Sequence, residues 1–165
     1  MLPPLHRVDA PIQFVHGKDL AWDMDRINAE IDDPEADGDH PVTLYFAGET
    51  RYDLDAGARE YFKEGAKPLV FHMRRLPDPD WMQVRDMKAR GAFSFANEYA
   101  LRVGLTAVVD GDENFPLEGP DRKDKRLTEK DVKRLREKFG RQTMNDVGAA
   151  VITASDDLFD REKKA

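Results

Sequence analysis

Four histidines, His6, His16, His40 and His72, and a dense supply of carboxylates are the side chains of this 165-residue chain that could move protons or hold a metal near neutral pH. The histidines are scattered. No two stand four apart, the spacing that would turn both rings to one helix face and one metal. The run Asp110-Gly111-Asp112-Glu113-Asn114 has the oxygen ligands of a calcium loop. Its sixth residue is Phe115 and its twelfth Asp121, where such a loop needs Gly and Glu, so it reads as a turn. The absence of cysteine excludes disulfides, thiolate-bound zinc, iron–sulfur clusters and a thiol nucleophile. There is no glycine-rich phosphate loop and no Gly-x-Ser-x-Gly elbow. No carboxylate pair stands in an apolar setting that would tune its pKa. These residues predict no enzyme, no catalytic residue, no cofactor and no metal.

The other chemically loaded stretch is basic. Arg122-Lys123-Asp124-Lys125-Arg126 is followed by Lys130, Lys133, Arg134, Arg136 and Lys138. A patch of this kind can bind a partner or nucleic acid. Glu129, Asp131 and Glu137 are interleaved with it, and mixed signs favour a solvated helix face. Over the whole chain the net charge is −7, which argues against nucleic acid as a partner, since counterion release needs a net basic surface. The charge is also uneven. Residues 1–66 carry a net −9 and residues 67–165 a net +2. That shift suggests an acidic N-terminal segment, 1–66, with a helix and short strands, and a mainly helical region, 67–165. Whether the strands of the first join the second in one compact domain is open. No stretch approaches the roughly 20 apolar residues of a membrane span, and Met1–His6 has no signal-peptide character. A cytoplasmic, non-membrane protein is expected.

The elements that must position any site follow from periodicity. Residues 1–16, punctuated by proline, read as irregular. Leu20, Met24, Ile27 and Ile31 predict a helix over 19–31, stopped by Asp32-Asp33-Pro34. Alternation predicts strands over 42–46, 51–54 and 69–74. Gly57–Gly65 has weak helix content anchored by Tyr61 and Phe62. Asp78 as cap and Pro79 in the first turn predict a helix over 79–90. The apolar stretch Phe93–Val109 predicts another over 94–104. Thr128 as cap, Asp131 three residues on, the stripe Val132, Leu135, Phe139 and the stop at Gly140 predict a helix over 128–139. Met144, Val147, Val151 and Ala154 predict a helix over 143–154, with Ser155 capping a last short one over 156–163. The fold class is therefore α+β: a small antiparallel sheet in the front half and a helical back half. The predicted core of the back half is Trp81, Val84, Phe95, Leu101, Leu105, Leu135, Phe139, Val147 and Val151.

The order of these pieces carries a resemblance. The strand Leu69-Val-Phe-His-Met-Arg-Arg-Leu76 is followed by a Trp81-bearing helix, then Ala100-Leu-Arg-Val-Gly-Leu105 and the turn Asn114-Phe115. Leu127-Thr-Glu-Lys-Asp-Val132, an Ile/Val/Ala-rich helix and Ser155-x-x-Leu158 with Glu162-Lys-Lys complete it. This resembles the tail assembly chaperones of long-tailed bacteriophages over about residues 68–164. The family often closes on Lys-Asn where this chain closes on Lys164-Ala165, and residues 1–66 have no counterpart. The resemblance implies a non-enzymatic protein of the host cytoplasm. It would bind the helix-rich tape-measure protein, keep it soluble and help tail-tube protein polymerise around it. It is compatible with a homo-oligomer, and with a frameshifted longer form.

Helix-in-groove recognition of such a client calls for apolar, adaptable side chains. The candidate partner-binding residues are Met82, Met87, Phe93, Phe115, Met144, Leu158 and Phe159, with Phe95 shared between this set and the predicted core. The alternative is a virion structural protein, such as a neck, tail-terminator or capsid-decorating subunit, which the mixed front half would suit. A third reading, a regulatory module using the helix 128–139 on nucleic acid, would show itself as salt-dependent affinity.

Overall fold

The fold is known from a computed structural model, which describes residues 12–31 and 56–164. Along the chain it runs β1 (Ile12–Phe14), α1 (Met24–Ile31), α2 (Ala56–Arg59), β2 (Leu69–Met73), α3 (Asp78–Ala89), α4 (Phe93–Gly104), β3 (Leu105–Asp110), β4 (Glu113–Asn114), α5 (Glu129–Phe139) and α6 (Arg141–Lys164). The four strands form one antiparallel sheet in the order β1-β2-β3-β4. The fold class is α+β, as the periodicities predict. The predicted strands over 42–46 and 51–54 lie outside the described residues.

The sheet contains strands that periodicity does not reveal. β1 falls in the stretch read as irregular, and pairs Ile12 with Met73 and Phe14 with Phe71. Three residues are too few to display a period. β3 was hidden by a different device. In the β2–β3 ladder His72 faces Ala107 but Met73 faces Leu105, so Thr106 is an extra residue. Its Oγ1 donates to the His72 carbonyl at 3.0 Å. The bulge turns Leu105 and Val108, three apart, to the same buried side. Spacing of three imitates a helix, so Leu105 and Val108 do not show the alternation of a strand. The strand begins at Leu105 directly after Gly104, whose carbonyl accepts from the Arg74 amide at 2.8 Å.

One core fills the space between the sheet and the helices. Ile12, Phe71, Met73, Leu105 and Val108 come from the sheet. Trp81 and Val84 of α3, Leu101 and Val103 of α4, Val132 and Leu135 of α5, and Met144, Val147 and Val151 of α6 meet them. Leu135 is wholly buried, and Leu135→Ala is expected to cost about 2–5 kcal/mol. Thermal denaturation reads this directly: a midpoint like that of the parent chain would contradict the packing. A second, smaller cluster of Val15, Trp22, Ile27, Ala58 and Tyr61 joins β1, α1 and the residues around α2, with Phe14 packed against both cores.

Several predicted boundaries move for physical reasons. The helix predicted over 19–31 begins only at Met24. Asp19 spends its carboxylate on turn geometry, accepting from the Ala21 amide at 2.8 Å and the Leu69 amide at 3.0 Å, which competes with helix formation. Leu20 is consequently 86% exposed, while Trp22, bridged to Phe62, is buried. In α3 the helix starts at Asp78 itself, whose side chain caps nothing, and Pro79 occupies the first turn. Ser155 does not cap a separate helix, because α6 is continuous. The Ser155 hydroxyl donates to the Val151 carbonyl one turn back at 2.8 Å and accepts from the Leu76 amide at 2.9 Å. Both its needs are met within the helix, so nothing breaks there.

Among the described residues no helix is long and apolar enough to cross a membrane.

Candidate client-binding surface

Helices α3 and α4 form an antiparallel hairpin around Gly91. The Tyr99 hydroxyl in the second half of α4 donates to Asp80 in the first turn of α3 at 2.7 Å. The way α4 is buried decides what the hairpin shows to solvent. Its inner face is the small-residue line Ala96, Ala100 and Gly104, buried together with Leu101 and Val103. One step round the helix stands the line Phe95, Tyr99 and Arg102, of which Phe95 is exposed and the other two are half-buried, Tyr99 against the main core. Phe95 is 70% exposed, so its place in the predicted core is incorrect. The reason is that α6 packs against α4 at Gly148, too closely for an aromatic ring to share that face.

The structure separates the seven candidate partner-binding residues. Met82 on α3 and Phe93 at the start of α4 are 58% and 59% exposed, and with Phe95 they give the hairpin three large apolar side chains in water. Met87 and Phe115 are half-buried and lie against the main core. Phe115 stacks on Phe139 with ring centroids 5.4 Å apart. Met144 is 1% exposed and is a core residue, so it cannot line a surface. Leu158 and Phe159 lie in the last part of α6, beyond the described side chains. Phe95, which the sequence assigns both to the core and to the apolar surface, belongs to the surface. The signal that finds it is the spacing of Phe95, Tyr99 and Arg102 at i, i+4 and i+7, beside a stripe of Ala and Gly.

Beside the hairpin, the loop before α5 closes a polar hollow of about 340 Å³ lined by Tyr99, Arg102, Val103, Arg122, Asp124, Arg126 and Leu127. Arg126 is the anchored member. Its guanidinium meets Asp80 at 2.7 Å and lies near the Tyr99 ring, 5.8 Å from the centroid. Burial and the hydrogen bond to Asp80 raise the Tyr99 phenol above its ordinary value, with the Arg126 charge opposing. The bond to Tyr99 and the Asp80 charge raise Arg126 in turn, against the effect of burial. Tyr99 stays a phenol and Arg126 a guanidinium at neutral pH. They act as a brace, and neither Tyr99 nor Arg126 is primed to move a proton. A wider groove of about 520 Å³ also includes Arg102 in its wall, where Glu98, Glu129 and Glu137 stand among Lys133, Arg136 and Arg141. Arg136 pairs with Glu98 at 2.8 Å.

The remaining shifted groups are structural. Burial, and then the Arg59 charge, lower His72. The Tyr61 phenol, which donates to Glu30, is raised mainly by that bond. Asp110 to Asn114 is the β3–β4 hairpin turn, with Gly111 at φ 65° and Asp112 paired with Lys67. Among the described residues no cluster of three His, Asp or Glu side chains is placed to hold a metal.

Comparison of the chain with protein-family models, with curated proteins and with solved structures finds no match in any of the three.

Proposed function

We propose that the protein is a non-enzymatic tail assembly chaperone of a long-tailed bacteriophage, acting in the host cytoplasm on the tape-measure protein as tail-tube subunits assemble. The observation that supports this most directly is the exposure of Met82, Phe93 and Phe95 on one helical hairpin. Scattered single apolar residues on a surface need no explanation, but two phenylalanines more than half exposed within three residues of each other do. An amphipathic helical client supplies what these side chains lack. Its apolar anchors would meet the exposed rings of Phe93 and Phe95, and the unbranched Met82 would adapt to whichever anchor it meets.

Co-expression with the tape-measure protein tests the proposal. Soluble tape-measure yield is expected to rise with the parent chain, and to fall several-fold when Phe93 and Phe95 are both changed to Ser. Both positions are exposed, so the double variant should keep the thermal midpoint of the parent. Equal yield with and without the protein would sink the proposal. Recovery of the chain in purified virions would then favour the structural-subunit alternative.

A further inference from the structure

We infer that the hollow between α4 and the basic loop before α5 is a binding site for a phosphoryl group, either free phosphate or the phosphate of a small monoester. The loop is shaped by short-range hydrogen bonds. Its turns are closed by the Arg122 amide on the Gly119 carbonyl and the Lys125 amide on the Arg122 carbonyl, both at 3.0 Å. The Arg126 amide adds a bond to the Asp124 carboxylate at 3.2 Å. Lys125 takes φ 55°, the positive φ of a non-glycine residue among those described, and so folds the chain back between Arg122 and Arg126. The loop's far end is clamped to α4. The Leu127 amide donates to the Arg102 carbonyl at 2.9 Å, and Arg102 Nε donates to the Leu127 carbonyl at 3.3 Å. Three arginines from two elements thereby line one hollow.

The three are not equivalent. Arg126 is engaged by Asp80, as described above. Arg102 commits only its Nε, so both its terminal amines remain without an acceptor among the described residues. Arg122 has no side-chain acceptor or ion pair among them either, and Asp124 is the one acid in the lining. Two uncommitted guanidinium groups on a braced wall match the several acceptor oxygens of a phosphoryl group. A hollow of about 340 Å³ lies at the small end of ligand pockets, large enough for phosphate and a modest substituent lying along the Tyr99 ring. This site is independent of the apolar surface, and either can fail without the other.

Titration with inorganic phosphate at fixed ionic strength, followed in ¹H–¹⁵N spectra through the Nε–H signals of Arg102 and Arg122, is the test. The expected result is saturable movement of both signals. Affinity should fall at least about tenfold in Arg122→Gln and stay unchanged in Lys138→Gln, a residue exposed outside the hollow. Arg122 is exposed, so its variant should fold normally. Arg102→Gln is a second variant whose fold is checked by its thermal midpoint. Phenyl phosphate is the second probe: tighter binding than phosphate identifies a monoester as the ligand, and equal or weaker binding identifies free phosphate. Movement that never saturates with either probe overturns the inference, as does saturable binding of equal strength in both arginine variants.

Discussion

Replacing Gly148 by leucine is expected to abolish the native fold, seen as loss of the cooperative thermal transition and of near-ultraviolet circular dichroism. Gly148 lies in α6 where that helix crosses α4. A Cβ built there would stand 2.1 Å from the Asn97 carbonyl oxygen and 2.8 Å from its carbon. Both are backbone atoms of α4, so no side-chain rotation can relieve the clash. The same close approach is visible from the other helix, where a Cβ at Gly104 would meet the Val151 methyls at 2.4 and 2.9 Å. The crossing seats Ala96, Ala100, Val147 and Val151, all buried, and forcing it apart would loosen the middle of the main core. Overpacking by a methyl alone typically costs about 1–3 kcal/mol, so Gly148→Ala should remain folded but be measurably destabilised. Leucine adds three more carbons at a point that has no room for the first. A Gly148→Leu chain with the parent's midpoint would show that α4 and α6 do not cross here.

Asp131→Ala should be the most damaging substitution of a polar residue, by roughly 3–9 kcal/mol if the losses add, because three backbone donors would each lose an acceptor worth about 1–3 kcal/mol. Asp131 is fully buried, and its two oxygens accept from the amides of Glu118 at 2.9 Å, Gly119 at 2.8 Å and Thr128 at 3.0 Å. Its own amide donates to Thr128 Oγ1 at 3.0 Å, completing the capping box of α5. One carboxylate thus starts a helix and pins the loop that precedes it. Burial by itself would raise the Asp131 carboxyl, but the bonds from Glu118, Thr128 and Gly119 outweigh it, and the group titrates below its ordinary value. The sign of the pH effect follows. With the folded value depressed, the stabilisation is fully present above the unfolded pKa of about 3.9, and is lost as pH falls through the folded value. Asp131→Asn, which keeps the shape but not the charge, should therefore be destabilised at neutral pH. Its stability should also fall less steeply than the parent's from about pH 4 downward. Parallel pH profiles for the two chains would mean that Asp131 does not carry this charge-dependent bond set.

The features legible in the sequence are those that one element decides alone. The helix over Glu129–Phe139 is the clearest: Thr128, Asp131, the stripe at Val132 and Leu135, and Gly140 with its φ of 94° act within a few residues of one another. The same holds for β2, whose Phe71 and Met73 alternate without interruption, and for α3, whose Trp81 and Val84 face inward together. The α+β class follows from such local signals.

Other features depend on a partner far along the chain. β1 exists because β2 offers it a ladder, and β3 is a strand because its register with β2 admits Thr106 as an extra residue. Ser155 stays inside a helix because the distant Leu76 amide needs its hydroxyl. Which of two expected places Phe95 and Met144 each take is decided in the same way. α4 turns Ala96, Ala100 and Gly104 inward, which leaves Phe95 in solvent, whereas Met144 is buried in the main core. Likewise the basic run 122–126 is only a mixed-charge string in sequence. Arg102 joins Arg122 and Arg126 around one hollow because hydrogen bonds from Leu127 draw the loop onto α4. Periodicity reports which face of an element is apolar. Which neighbour covers that face, and how closely two backbones can approach there, is settled by packing among residues that the sequence keeps far apart.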